Sequence, residues 1–400
     1  QFTVSNYGAA SDLQTINLSG GDSSNNDNDT LAISMTGGPD LITYTPLSAT
    51  SATLSRGNAG PVIRISGFNS ADDNLRVDGG SNIDNLDFVG SASNDRITVM
   101  NSTISGLTRA TLEANSSVKW VPISFTSLNA LDVVGGSGND QLIVDNTNGL
   151  ITLTSGISFD GQSGNDLLRL QGSIAVTTST YRVGPDAGAG SITHVQSNNT
   201  QQVFFANLEP VVDVVAGSLA VVATNAANQI TYSATGSNGL IAIDGFETLE
   251  FANKTTVAID GGAGSDTFSI ANTSNGLSGS LTINGGDATS GDTLIVNGSG
   301  GTVQVNTTTG TITGAGPSSI IFNTVEALQV NVTASAPATN LGVSGGTNYT
   351  YTPGIANQAG TIQVDTMPIA QTIPSAPASV RNGLPTTRVK KNSASPITGQ

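Results

Sequence analysis

Short runs of alternating apolar and polar residues fill most of the chain, and clusters of Gly, Asn and Asp separate them. Leu281–Asn284 and Val303–Asn306 are clear examples of this alternation. A period of two places successive side chains on opposite faces, so each run predicts a half-buried β-strand. No segment shows the period of 3.6 residues that is typical of a helix. The pattern therefore predicts an all-β protein built from many short strands.

A glycine-rich turn motif recurs between these runs. Its pattern is Gly-Gly-x-Gly-[Asn/Ser]-Asp, followed by an apolar residue two positions later, and full copies start at Gly135 and Gly261. A copy starting at Gly161 lacks one glycine, and a copy starting at Gly285 carries a short insertion. The aspartates of these four copies are Asp140, Asp166, Asp266 and Asp292. Consecutive aspartates of each pair are 26 residues apart, which indicates a repeating unit of that length. Weaker copies of the motif contribute Asp29, Asp84 and Asp95.

A second motif lies between the turns. It begins with Phe and continues with Leu or Val, then Glu or Asn, then a further apolar alternation. Copies start at Phe125, Phe205, Phe246 and Phe322, at irregular intervals. The two motifs together describe a degenerate tandem array.

The tandem array predicts a parallel β-solenoid, or β-helix, with degenerate coils of about 26 residues. In such a fold each strand pairs with its equivalent in the next coil, so a narrow apolar core is sufficient. The irregular interval of the second motif leaves serial β-sandwich domains as the alternative. We assign residues 1–11 to an N-terminal segment that is a candidate strand-exchange arm. Residues 12–334 form the repeat body, and residues 335–400 form a Pro-rich, basic, extended C-terminal tail.

Composition excludes several classes of protein. The chain has 13 basic and 29 acidic residues, a formal net charge of −16, no Cys and one His. Nucleic-acid binding is not expected, because too few basic residues exist to neutralise phosphates. Disulfides, thiolate metal sites and cysteine nucleophiles are impossible. The single histidine, His194, lies in an alternating segment and is expected to be an exposed strand residue.

No run of apolar residues is long enough for a transmembrane segment. The absence of Cys, the low Lys content and the abundance of Asn, Ser and Thr are typical of a secreted bacterial protein, so we expect an extracellular or cell-surface location. The acidic body and basic tail favour a homo-oligomer or homopolymer, assembled through the N-terminal segment or the tail.

The Gly-Gly-x-Gly-x-Asp turns resemble the calcium-binding repeats of RTX (hemolysin-type) secreted proteins. That resemblance implies Ca²⁺ held between stacked turns by aspartate and backbone oxygens. The ligands it implies in this sequence are Asp140, Asp166, Asp266, Asp292, Asn139, Asn165, Asp84, Asp95 and Asp29. RTX turns recur about every nine residues, whereas the aspartates of this chain recur every 26. An Asp that caps its own turn is the simpler explanation of the same pattern.

These observations predict a non-enzymatic structural protein: a self-assembling subunit of an extracellular fibre, sheath or surface layer, stabilised by Ca²⁺ at its turns. Two alternatives remain open. One is a polysaccharide-active β-helix enzyme, either a lyase or a hydrolase. The other is a carbohydrate-binding adhesin module whose partner is a cell-surface glycan.

Overall fold

The computed structural model describes residues 2–4, 15–20, 29–35, 37–57, 60–68, 74–102, 108–114, 118–286, 291–299, 303–306, 309–333, 341–344, 349–352, 361–364, 369–372 and 390–391. These residues form β-strands and turns, and none of them lies in a helix. Accordingly, the described residues contain no helix that is long and apolar enough to span a membrane. The strands fall into two compact units.

The first unit comprises Gln1–Ser179 and Gly184–Ala216. Its strands, in chain order, are β1 (Phe2–Val4), β2 (Thr15–Ser19), β3 (Thr30–Ser34), β4 (Asp40–Ser48), β5 (Ser51–Arg56), β6 (Val62–Ser66), β7 (Asn74–Asp78), β8 (Asp84–Val89), β9 (Asp95–Asn101), β10 (Thr108–Ala114), β11 (Val118–Lys119), β12 (Ile123–Thr126), β13 (Ala130–Ser137), β14 (Gln141–Asp145), β15 (Gly156–Ser163), β16 (Leu167–Gln171), the first part of β17 (Ala175–Val183), β18 (Gly190–Gln196), β19 (Asn199–Ala206) and β20 (Val211–Asp213).

The second unit comprises Thr180–Val183 and Gly217–Gln400. Its strands are β21 (Ala216–Val222), β22 (Gln229–Thr235), β23 (Asn238–Ile243), β24 (Leu249–Phe251), β25 (Lys254–Asp260), β26 (Thr267–Ile270), β27 (Leu281–Asn284), β28 (Thr293–Ser299), β29 (Val303–Asn306), β30 (Thr311–Thr313), β31 (Ile320–Asn323), β32 (Ala327–Thr333), β33 (Leu341–Ser344), β34 (Tyr349–Thr352), β35 (Thr361–Val364), β36 (Ile369–Thr372) and β37 (Lys390–Lys391).

Strands that follow each other around a coil belong to two different sheets, which we call sheet I and sheet II. In the first unit β14 and β16 pair in parallel in sheet I, and β13 and β15 pair in parallel in sheet II. In the second unit β26 pairs with β28 in sheet I and β25 pairs with β27 in sheet II. Each strand thus pairs with its equivalent one coil later. This confirms the predicted parallel β-solenoid over the serial sandwiches.

Antiparallel insertions lengthen some coils. In the first unit β4, β5 and β6 form a three-stranded meander within sheet II, and β9, β10 and β12 form one within sheet I. In the second unit β22–β24 form a meander in sheet I and β29–β31 form one in sheet II. The outer strands still pair in parallel with neighbouring coils, as β4 does with β8. The coils from Asp140 to Asp166 and from Asp266 to Asp292 hold no meander and have the predicted 26 residues, whereas the coil that holds β9–β12 has 45.

The meanders reveal a larger repeat. Strands β4–β16 run in the order sheet-II meander, one strand in each sheet, sheet-I meander, then four single strands that alternate between the sheets. Strands β17–β28 follow the same order along the chain, beginning with a sheet-II meander in which β18 and β19 are antiparallel, and β29–β37 begin it again. We call this order the super-repeat. It explains why the second sequence motif recurs irregularly. The copies of that motif lie in, or just before, the last strand of each meander, and four single strands follow a sheet-I meander whereas two follow a sheet-II meander.

The core consists of columns of inward-facing side chains, one residue from each coil. Leu131, Ile157 and Val203 form one such column across β13, β15 and β19, and all three are fully buried. Each additional coil buries more apolar surface against its neighbours, at about 25 cal/mol per Å². Burial of the column makes the register of the strands unambiguous, since a slip by one residue would turn it towards solvent.

Two buried tyrosines mark equivalent points of the super-repeat. The Tyr44 hydroxyl in β4 donates to the carbonyl oxygen of Val121, and the Tyr181 hydroxyl in β17 donates to that of Glu247. Val121 and Glu247 each lie two residues before the last strand of a sheet-I meander. The same anchor therefore recurs at the same place in both copies.

Five strands lie in the segment that sequence assigned to the extended tail. Strand β33 pairs with β29, β36 pairs with β32, β37 pairs with β33, and β34 forms an antiparallel pair with β35. Within residues 1–11 only β1 is described, and it pairs in parallel with β3. The rest of that segment lies outside the described residues.

Candidate functional site: carboxylate ladders between coils

The turn aspartates link consecutive coils by hydrogen bonds. In the first unit the backbone N–H of Asp95 donates to Oδ1 of Asp140 at 2.8 Å, and the N–H of Asp140 donates to Oδ1 of Asp166 at 2.7 Å. The N–H of Asp166 faces Oε2 of Glu209 at 3.4 Å. We call this series of side chains in consecutive coils ladder 1. It lies where the chain enters sheet I, and the predicted stacking of Asp140 on Asp166 is present in it.

The second unit contains an equivalent series, ladder 2. The N–H of Asn228 donates to Asp266 Oδ1 at 2.8 Å, and the N–H of Asp266 donates to Asp292 Oδ1 at 2.7 Å. The N–H of Asp292 then donates to Glu326 Oε2 at 2.6 Å. Both ladders therefore contain two motif aspartates one coil apart, and in each the last acceptor among the described residues is a glutamate.

A third series, ladder 3, lies at the turns that enter sheet II of the first unit. The N–H of Asp40 donates to Asp84 Oδ1 at 2.9 Å, and the N–H of Asp84 donates to Asn129 Oδ1 at 3.0 Å. Asp40 also forms an ion pair with Arg56. Asp84 therefore belongs to a different turn of the coil from Asp140, although both were predicted from the same motif.

The first glycine of the motif leaves room for the carboxylate. A Cβ built on Gly135 would lie 2.6 Å from Oδ2 of Asp140, and one on Gly161 would lie 2.5 Å from Oδ2 of Asp166. Gly20 stands in the same relation to Asp29, at 2.7 Å. Any larger residue would displace the side chain that joins the coils.

The later glycines serve a different purpose. Gly138 has a φ of 131°, which L side chains rarely adopt, and a Cβ there would lie 2.8 Å from the backbone of Ser93 in the preceding coil. Coils approach each other backbone to backbone at this point. The glycines of the motif thus meet two separate requirements. The first glycine leaves space for the aspartate carboxylate, and a later one allows close approach of the neighbouring coil's backbone.

Asparagines on the exposed side of ladder 1 make the reverse connection. The N–H of Asn139 donates to Oδ1 of Asn94 at 2.8 Å, and the N–H of Asn165 donates to Oδ1 of Asn139 at 3.1 Å. In the aspartate series the earlier coil donates to the later one, whereas here the later coil donates to the earlier. Each Asn-Asp pair therefore clamps adjacent coils with two opposed hydrogen bonds.

Five of the ladder aspartates have one carboxylate oxygen that is buried without a donor. Among the described residues no group donates to Oδ2 of Asp84, Asp140, Asp166, Asp266 or Asp292. Burial raises the pKa of Asp140 and of Asp266 to about 6 in each case. Burial likewise raises the pKa of Asp84, Asp95, Asp166 and Asp292. Desolvation and the neighbouring carboxylates of the ladder both disfavour the charged form.

The nine sequence-predicted ligands are thus distributed over the three ladders and their surroundings. Ladder 1 contains Asp95, Asp140 and Asp166, with Asn139 and Asn165 beside it, ladder 2 contains Asp266 and Asp292, and ladder 3 contains Asp84. Asp29 precedes β3 as Asp166 precedes β16, and its carbonyl accepts the N–H of Asn74 as the carbonyl of Asp140 accepts the N–H of Leu167. In the described part of the chain no three acidic or histidine side chains lie close enough together to hold a metal ion. Carboxylates of the described residues could therefore supply only part of the six to eight oxygens that Ca²⁺ takes.

Sequence reasoning missed the ladder members that come from the second motif. Asn129, Glu209 and Glu326 each follow a phenylalanine of that motif by four residues, and each accepts a backbone N–H from the preceding coil. The signal was present, because both motifs place an acidic or amide side chain immediately before an apolar strand. The two motifs are alternative ways of building one ladder position.

The prediction that His194 is exposed is wrong. His194 in β18 is 1% exposed, and its Nε2 lies 3.2 Å from Oδ2 of the buried Asp213. The same oxygen accepts the Ser179 hydroxyl at 2.6 Å, and Oδ1 accepts the N–H of Val215 at 3.0 Å. Alternation alone cannot show which face of a strand is inward, and the buried carboxylate makes the inward position acceptable for an imidazole.

Comparison with known proteins adds no relative to this description: no protein-family model matches the chain, and no curated protein matches it.

Proposed function

We propose that this chain is a secreted bacterial structural protein, a self-assembling and non-catalytic subunit of an extracellular fibre, sheath or surface layer. The observation that carries the proposal is the coil-to-coil ladder. The aspartates that sequence singles out use one carboxylate oxygen to accept the backbone of the neighbouring coil. Such a use of the polar residues stabilises a stack of coils, which suits a protein whose function is its own rigidity.

We further propose that Ca²⁺ stabilises ladders 1 and 2. Ca²⁺ prefers hard oxygen ligands, and the unpartnered Oδ2 atoms of adjacent coils are such ligands. Adjacent buried carboxylates also repel one another, and a cation would remove that repulsion. With two carboxylates at most, affinity would be weak, about 10⁻⁴–10⁻³ M, as in other extracellular modules.

The test is thermal unfolding in millimolar Ca²⁺ and in chelator. Wild-type protein should melt at a higher temperature in Ca²⁺, and the variant Asp140→Asn/Asp266→Asn should lose most of that increase. The amide keeps the Oδ1 acceptor, as Asn129 does in ladder 3, but removes the charge. Asp186→Asn is the matched control, because Asp186 is an exposed turn residue outside the ladders.

An equal calcium response in wild type and in the ladder variant would overturn calcium binding at the ladders. Assembly is measured separately, by sedimentation velocity and electron microscopy in the same two buffers. Fibres or sheets that form in Ca²⁺ and dissolve in chelator would support the structural role. A monomer in both buffers would count against it.

A further inference from the structure

We propose that the two ends of the described β-structure are complementary, so that a second copy of this chain pairs with the first from head to tail. Strand β1 of one copy would extend sheet I beside β34 of the other, and β2 would extend sheet II beside β37. The inference rests on the proposed structural role and names the partner and the register of its assembly.

The C-terminal strands repeat the arrangement of the first super-repeat. There β7 pairs with β12 and β8 pairs with β13. In the third super-repeat β32 pairs with β36 and β33 pairs with β37, also in parallel. Strands β34–β36 therefore occupy the place of the meander β9–β12, with β35 lying next to β36. Strand β37 occupies the place of β13.

In the first and second super-repeats a further coil follows the sheet-I meander and the next sheet-II strand. Strand β9 pairs in parallel with β14, and β13 pairs with β15. The second super-repeat has the same contacts, since β22 pairs with β26 and β25 pairs with β27. Among the described residues, no strand takes the corresponding place beside β34 and β37. The edges of β34 and β37 correspond to the edges of β9 and β13 with which β14 and β15 pair in the first super-repeat.

The N-terminal strands have the pairing pattern of that further coil. Strand β1 pairs with β3 in the same register as β26 with β28, so that Phe2 faces Leu31 as Phe268 faces Leu294. Strand β2 pairs with β6 in parallel, as β15 does with β19 and β27 with β31. Strands β1–β3 are therefore equivalent to β14–β16 and to β26–β28. They present the edge that a preceding sheet-I meander covers in both of those places.

The internal pairing also fixes the register across the proposed junction. In the second super-repeat of the chain, Thr231 of β22 faces Ser269 of β26. The Ile-Thr-Tyr sequence of β22 corresponds to Tyr-Thr-Tyr in β34, which aligns Thr231 with Thr350. Ser269 corresponds to Thr3, because each follows the paired phenylalanine by one residue. Thr350 of one copy should therefore lie opposite the exposed Thr3 of the next.

Disulfide trapping tests this register in the full chain, which has no cysteine of its own. In the double variant Thr3→Cys/Thr350→Cys, adjacent strands would place the two Cα atoms about 4.8 Å apart, within the range for a disulfide. Mild oxidation should give disulfide-linked dimers, trimers and longer species. The matched control is Thr3→Cys/Gln202→Cys, since Gln202 is exposed on β19 and away from either edge. It should stay largely unlinked.

Equal cross-linking of the two double variants would overturn the proposed register. Unlinked protein that sediments as a monomer would overturn head-to-tail pairing altogether. Either result is distinguishable from failure of the structural role, because calcium-dependent melting and assembly of the wild-type chain are measured independently. If the Thr3→Cys/Thr350→Cys variant forms fibres but stays unlinked after oxidation, the fibres assemble through another surface and the proposed pairing is wrong.

Discussion

At the scale of single residues, the first glycine of each motif is required because a side chain there would overlap the aspartate carboxylate. We expect Gly135→Ala to destabilise the first unit by about 1–3 kcal/mol, because the new methyl group would overlap Oδ2 of Asp140. Urea unfolding would measure the loss. Gly37→Ala is the control, since a Cβ there meets no atom within 4 Å.

The double variant Gly135→Ala/Asp140→Ala identifies the cause. If the clash with the carboxylate is responsible, the two substitutions should cost less together than the sum of their separate costs. Additive costs would show that Gly135 is required for another reason, such as contact with the carbonyl of Gly161.

The sequence identified the ladder aspartates and the distance between them, but only part of their chemistry. Alternation and turn composition were sufficient to predict stacked turns at Asp140 and Asp166. They could not show that Oδ1 accepts a neighbouring N–H while Oδ2 lies against a glycine. His194 was misplaced for a related reason, because its partner Asp213 is distant in sequence and adjacent only in the folded core.

At the scale of strands and coils, the 26-residue coil behaves as an exchangeable element. Residues 141–166 contain one strand of each sheet and one ladder aspartate, and their pairing partners on both sides are in register. A tandem duplication of residues 141–166 should therefore insert one more coil and leave the fold intact. Far-UV circular dichroism and thermal melting should match those of the parent chain.

A duplication of residues 141–160 is the matched control. It adds β14 and part of β15 without a new ladder aspartate, so the following strands would be out of register. This variant should melt at a lower temperature or fail to fold. If both duplications are tolerated equally, coil length is not set by the ladder.

The meanders were the part of the architecture that sequence could not supply. Their strands alternate in the same way as the strands of the coils, so composition does not distinguish an antiparallel insertion from a further coil. The difference appears only in pairing, where β5 runs against β4 and β6 while β8 runs parallel to β4. The Pro-rich tail shows the same limit of composition, since short strands such as β33 and β36 are separated by proline-containing segments.

At the scale of the whole molecule, the acidic charge and the raised pKa values of the ladders make stability depend on pH. The folded pKa of Asp140 and of Asp266 is about 6, above the usual value of 3.8. A raised folded pKa means that the native state binds more protons than the unfolded state between these values. The free energy of unfolding should therefore fall as pH rises from about 4 to about 6.

Measured in chelator, the melting temperature should be several degrees higher at pH 4.5 than at pH 7.5. The variant Asp140→Asn/Asp266→Asn should reduce this difference, because its amides cannot ionise and retain the Oδ1 acceptor. Asp186→Asn should leave the difference unchanged. A wild-type profile that is flat, or that rises with pH, would show that the ladder carboxylates are stabilised as anions by neighbouring donors. Since Ca²⁺ and protons would neutralise the same carboxylates, added Ca²⁺ should raise the melting temperature at pH 7.5 much more than at pH 4.5.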